Sequence, residues 1–181
     1  MIKKTIVFCL IFILFFISSV SNKSLSDIKY LYFSNILKSN PKVEDVDYFK
    51  NIRNKYTEKD LYWLALNIYH EARGENNAGQ IMVGIVTLTR LKSKKWGNTI
   101  KKVVTAPHQF SWYWDGKSDK PRNKKCWEIA QKNAIIAIYY FSIYDYDRIM
   151  YYHNNHVSPY WAKKFIKVKE IGNHIFYKKG V

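Results

Sequence analysis

From residue 57 onward the hydrophobic positions recur at spacings of three and four. Leu61, Leu64, Ala65, Ile68 and Ala72 fall on one side of a helix. Thr57-Glu58-Lys59-Asp60 precedes them, offering a capping hydroxyl and acidic residues for the positive end of the dipole. Gly74, able to take the left-handed conformation, is the expected stop, so the first helix is predicted over about 58–73. Asn76 or Asn77 then caps a second helix running to about Leu91. Its residues Ala78, Ile81, Met82, Val83, Ile85, Val86 and Leu88 leave it apolar on most sides, the mark of a central helix. Gly79 and Gly84 would let a neighbour approach closely, and Lys92-Ser93-Lys94-Lys95 ends the helix in a solvated turn.

Ile100–Val104 reads as one short helix, stopped before Pro107. The run His108–Gly116 alternates polar and aromatic residues and closes on an Asp-Gly turn signal, followed by a basic loop to 125. Trp127, Ala130, Ala134, Ile135, Ala137, Ile138 and Phe141 predict a third long helix over about 124–143. Met150–His153 suits a strand, Pro159–Ala162 one helical turn, and Ile175–Tyr177 a closing strand. The sum is a small, mainly helical α+β domain spanning 56–181, with no internal repeat.

The start of the chain follows other rules. Lys3 and Lys4, the apolar run Thr5–Ile17 and the small-x-small triplet Ser19-Val20-Ser21 read as an export signal over 1–21. The run is short of the about 20 residues of a spanning helix, so an N-terminal anchor is the alternative. Either way the chain is expected in the periplasm, cell wall or extracellular space. Cleavage would leave Cys126 as the one cysteine, so no intrachain disulfide is available and stability must come from the core. Residues 22–55 are polar and basic; Tyr30, Tyr32, Phe33, Ile36 and Leu37 suit a short helix before Pro41, within a linker or arm.

Charge narrows the partners. A net +16 draws the chain to polyanions: nucleic acid, anionic lipid or an anionic wall polymer. The export signal counts against nucleic acid, and membrane contact is expected only through the N-terminal segment of a monomer. An aromatic fraction of 17% supplies flat rings that could stack on sugar faces, most visibly at 110–114 and at Tyr151, Tyr152, Tyr160 and Trp161. The plainer role for any one ring is core packing.

The candidate chemistry centres on Asn67-Ile68-Tyr69-His70-Glu71-Ala72-Arg73-Gly74-Glu75. Glu71 falls in the last helical turn, where the dipole disfavours a second negative charge. Partial burial there would raise its pKa, as a general acid near neutral pH requires. A close ion pair with Arg73 would oppose this, and a solvated Glu71 paired with Arg73 or a lysine is the plain alternative. Five histidines invite a metal reading, but His70-Glu71 has no second histidine four positions on, so the zinc-protease helix is absent. His153 and His156 need not converge. No G-x-S-x-G or phosphate-binding loop is present, and Cys126, expected to be buried, lacks the flanks of a nucleophilic thiol.

Taken in order, Ile68–Glu75, Gly79-Gln80, a valine-rich helix ending in Arg90, Gln109-Phe110-Ser111-Trp112, His153, Val157–Ala162 and Ile171–Tyr177 resemble the catalytic domain of bacterial spore-cortex-lytic enzymes and related cell wall hydrolases. One departure is Thr89, where relatives usually carry Asn; it puts a supporting hydrogen bond in question, not the reaction. The peptidoglycan-binding repeats of some relatives are missing. The resemblance implies a lysozyme-like α+β fold acting on peptidoglycan glycan strands; no cofactor and no metal are expected. Some such enzymes are lytic transglycosylases that leave a 1,6-anhydro product, with a single glutamate that maps onto Glu71. On this reading Gln109, Ser111 and Tyr152 are expected to orient sugar or its N-acetyl group, Trp112 and Tyr160 to stack on sugar rings, and His153 and His174 to act as structural hydrogen-bonders or as support behind the site. A two-carboxylate glycosidase needs its pair about 5–9.5 Å apart. Glu75 is the nearest candidate, but Gly74 argues that it begins the next helix, capping amides or pairing with a basic residue. The alternatives are an amidase, which would need a metal, a non-catalytic wall-binding module, and a basic nuclease.

Overall fold

The computed structural model describes residues 55–180; the segments expected to be an export signal, an arm and a short helix within it lie wholly or mostly outside them. Helix α1 is Glu58–Ala72. Thr57 accepts from the Asp60 amide while Asp60 accepts from the Thr57 amide, a reciprocal cap that satisfies two otherwise unpaired donors. Helix α2, Asn77–Ser93, is capped by the Asn76 side chain on the Gly79 amide, and α3 is Ile100–Val104. Helix α4 is Lys124–Ile143, capped by Asn123. Strands β1 (Ile149–Asn154), β2 (Ile166–Ile171) and β3 (His174–Lys178) form an antiparallel sheet in the order β1-β3-β2.

Helix α2 is the centre: α1, α3, α4 and β1 all pack on it. The reason is local. A Cβ on Gly84 would lie 2.7 Å from Ala137 Cβ on α4 and 3.0 Å from Ile68 Cδ1 on α1. Only glycine lets the three helices meet there. Leu64, Ile68, Val83, Val86, Leu88 and Ile138 fill the surrounding core. One polar link crosses it. Asn67 donates to Thr87 Oγ1 at 3.0 Å and accepts from Trp112 Nε1 at 2.9 Å, tying α1, α2 and the 110–114 segment together with its polar groups satisfied. The sheet lays β1 against α2, and a second, smaller aromatic cluster of Tyr151, Trp161, Phe165 and Tyr177 packs under the 3-10 turn Tyr160–Lys164.

Two expectations are corrected, and two stretches without an assigned element take one. Helix α1 ends at Arg73 in ordinary right-handed geometry, and Gly74 has no positive φ; the chain turns instead through the Glu75 amide, which donates to the Ala72 carbonyl. Within the alternating 108–116 stretch, Ser111–Trp114 is a 3-10 turn that buries Trp112 and faces Trp114 outward. Strand β2 was not predicted, because its residues are nearly all exposed and alternate lysine with aliphatics at a sheet edge. Cys126 is half-buried rather than buried.

Candidate active site

Glu71 occupies the last turn of α1 and faces β1. Its Oε2 accepts a 2.7 Å hydrogen bond from the Tyr152 hydroxyl. Glu71 keeps some exposed surface, yet protein crowds its carboxyl, and burial raises its pKa above the ordinary value of 4.5. The Tyr152 hydrogen bond and the nearby charge of Arg90 pull the other way and do not cancel it. Tyr152 in turn has its pKa pushed well above 10 by burial and by the Glu71 charge and hydrogen bond, against a smaller opposing effect of Arg90. It therefore remains a hydroxyl donor throughout the neutral range.

Arg90 is the cation of the site. It is 7% exposed, near the end of α2. Its Nε donates to the Met150 carbonyl at 2.9 Å, its Nη1 to the Gln109 carbonyl at 3.4 Å, and its guanidinium lies 4.7 Å from the centre of the Phe110 ring. Burial lowers its pKa, while Tyr152, Glu71 and Tyr151 act to keep it charged. One side chain thus ties the 109–110 segment and β1 to α2 and puts positive charge near Glu71. In the sequence Arg90 marks only the end of a valine-rich helix; a buried arginine needs partners, and the fold supplies them.

Arg73 does not pair with Glu71. It is exposed, with its guanidinium 5.4 Å from the centre of the Tyr69 ring. Glu75 neither caps α2 nor pairs with a basic residue. Its Oε2 accepts from the Asn173 amide at 2.9 Å and its Oε1 from Asn173 Nδ2 at 3.0 Å, in the β2–β3 turn. Burial pushes its pKa up, but these two bonds and His174 outweigh that and hold it below 4.5.

The remaining residues divide. Tyr152, expected to orient sugar, spends its hydroxyl on Glu71. Trp112, expected to stack on sugar, is 7% exposed, gives its indole N–H to Asn67 and has one face covered by the His70 ring at 4.3 Å. It is core, and His70, whose Nε2 meets the Asp119 carbonyl, is its lid. Tyr160 is 79% exposed, with Lys164 reaching over its ring. Ser111 is exposed, and Gln109 is half-buried with its side chain turned to the Pro107 carbonyl. His153 Nδ1 donates to the Asn154 carbonyl, leaving Nε2 to accept from Tyr177. His174 is buried against the Tyr152 ring with Nδ1 unpaired, and burial lowers its pKa. Among the described residues, no group of three or more His, Cys, Asp or Glu is placed to hold a metal ion.

The domain is similar to known proteins over most of its length. Residues 74–177 match the family model described as Cell Wall Hydrolase, a segment that begins just after Glu71. The spore cortex-lytic enzyme of Bacillus cereus is 30% identical over 128 residues, 71% of this chain and 48% of that protein. That of Bacillus subtilis is 31% identical over 129 residues, 70% of this chain and 40% of that protein. The chain thus spans about half the length of the curated relatives it matches, or less. Two solved structures are similar in fold. The catalytic domain of the germination-specific lytic transglycosylase SleB from Bacillus anthracis gives a TM-score of 0.57 at 32% identity, covering 69% of this chain and 98% of that one. The catalytic domain of Bacillus cereus SleB gives 0.56 at 31%, covering 68% and 92%. The fold is α+β and lysozyme-like, and the chain belongs to the cell wall hydrolase family.

Proposed function

We propose that this chain cleaves peptidoglycan glycan strands between N-acetylmuramic acid and N-acetylglucosamine as a lytic transglycosylase, with Glu71 as its one acid and base. The observation that carries the reading is the crowded Glu71 carboxyl, held protonated to higher pH by burial and fixed in place by Tyr152. Tyr152 occupies Oε2, which leaves Oε1 to carry the proton. Glu71 gives that proton to the glycosidic oxygen as the bond from C1 of muramic acid breaks. The C6 hydroxyl of the same sugar then attacks C1, and its proton returns to the Glu71 carboxylate. The product is a 1,6-anhydro end, with no water consumed. In the second half of the cycle, Tyr152 and Arg90 stabilise the carboxylate that the first half creates.

A single-glutamate mechanism is supported by the state of Glu75, whose two oxygens are both taken by Asn173. Substrate contact is assigned to Tyr160, which is largely exposed with Lys164 over one face of its ring, and to Ser111 and Gln109 beside the buried Trp112. Excess lysine and arginine would hold an exported enzyme on anionic wall polymers, with a salt-sensitive affinity. Mass spectrometry of the ends formed on purified peptidoglycan tests the reaction. Anhydro-muramic ends, unchanged by chelator, are expected. Reducing muramic ends would mean hydrolysis, and free stem peptides would mean an amidase.

A further inference from the structure

The site is built across two elements. Glu71 comes from α1, and the hydroxyl that holds it comes from β1, 81 residues later. The hydrogen bond between them survives only if the sheet is held at a fixed place relative to the end of α1. Arg90 ties β1 to α2 through the Met150 carbonyl, but that link lies away from the end of α1.

A second cross-link lies one helical turn beyond Glu71. Both oxygens of Glu75 grip Asn173, one through its amide and one through its side chain. The Asn173 carbonyl meanwhile accepts from the Asn155 amide at 2.7 Å, just past the end of β1. The approach is close enough to dictate the neighbouring residue. Gly172 has φ +59°, and any Cβ there would collide with Glu75 Oε2. On the far side of the turn, His174 packs edge-on against the Tyr152 ring at 5.1 Å. Glu75 is thus joined to β1 by two routes: through Asn173 and Asn155 along the backbone, and through His174 onto Tyr152.

We propose that Glu75 is a positioning residue: by clamping the β2–β3 turn to the end of α1, it sets the distance at which Tyr152 meets Glu71. It touches neither the glycan nor the reacting atoms. The inference rests on the proposed role of Glu71, and it assigns to the second glutamate of this motif a task other than nucleophile or base. The clamp suits the task, since a carboxylate receiving two donors fixes orientation as well as distance.

The test compares Glu75→Ala, Glu75→Gln and Asn173→Ala with the unaltered full-length chain. Two readouts are taken: glycan cleavage as kcat and KM over pH, and the NMR titration of the Glu71 carboxyl without substrate. Glu75→Ala should lower kcat by about tenfold or more, as a small misplacement of an acid does, with KM unchanged. Its Glu71 carboxyl should titrate at higher pH, since a slackened Tyr152 bond no longer favours the ionised form. Glu75→Gln keeps an acceptor and should recover part of the loss; Asn173→Ala, which spares the backbone amide, should resemble it. An unmoved Glu71 titration in Glu75→Ala would overturn the clamp, as would a loss confined to KM. Equal inactivity of Gln and Ala variants, with Glu71 titrating normally, would also overturn it and make Glu75 a reacting carboxylate. If the unaltered chain cleaves no glycan, the proposed function fails, and the NMR titration still decides the clamp.

Discussion

Replacing Tyr152 with phenylalanine removes one oxygen and leaves the ring, which continues to pack against His174 and Phe176. What is lost is the 2.7 Å bond to Glu71 Oε2. A hydrogen bond to a charged acceptor is worth about 1.5–3 kcal/mol net, against about 0.5–1.5 for a neutral one. The ionised carboxylate therefore loses about 1–1.5 kcal/mol more than the protonated acid. At 1.36 kcal/mol per factor of ten, Glu71 should bind its proton roughly tenfold more tightly. Arg90 remains and keeps its share of the stabilisation. Since the first step needs protonated Glu71, activity falls as pH rises through its pKa, and in Tyr152→Phe that alkaline limb should move to higher pH. The plateau should drop as well, because Oε1 is no longer fixed and the carboxylate that returns as base is less well held. Turbidity loss of purified sacculi, measured across the pH range, reads both effects. An alkaline limb that stays in place, or moves down, would refute the reasoning.

Glu71→Gln should raise stability. Because its folded pKa lies above the unfolded value of 4.5, Glu71 costs stability progressively as pH rises from there through the folded value. The variant should gain about 1 kcal/mol at neutral pH by urea unfolding, a typical single-site gain, and the gap should close on acidification towards 4.5. Gly84→Ala should cost about 1–3 kcal/mol by forcing α1, α2 and α4 apart; a net gain from helix propensity would show that the neighbours yield. Trp112→Phe should lower the melting temperature, since Asn67 loses its indole partner at a cost of about 1–3 kcal/mol. Tyr160→Ala should leave melting unchanged and raise KM; an unchanged KM would remove Tyr160 from the substrate contacts.

The helices were legible because each pairs a buried face with its own cap. Thr57, Asn76 and Asn123 mark three starts, and Gly84 sits where the apolar stripe needs a gap. The place of Glu71 in the last turn of one of them was legible as well. Its partners were not. Tyr152 is 81 residues away, and no periodicity says that β1 crosses the end of α1. Arg90 read as a helix terminus because its backbone acceptors, Met150 and Gln109, are assembled only by the fold. Trp112 read as a binding surface because its neighbours, Asn67 and His70, lie on a different element. Glu75 was misread for the same reason: its acceptor role is met by Asn173, 98 residues on. Strand β2 went unseen because an exposed lysine-rich edge carries no core pattern.

The most direct measurement is mass spectrometry of glycan ends after purified peptidoglycan is treated with the full-length chain and, in parallel, with Glu71→Gln. The prediction is anhydro-muramic ends from the unaltered chain and none from the variant, which still binds the sacculi. Anhydro ends persisting in Glu71→Gln would contradict the assignment of the acid, and reducing ends from the unaltered chain would contradict the single-glutamate reaction.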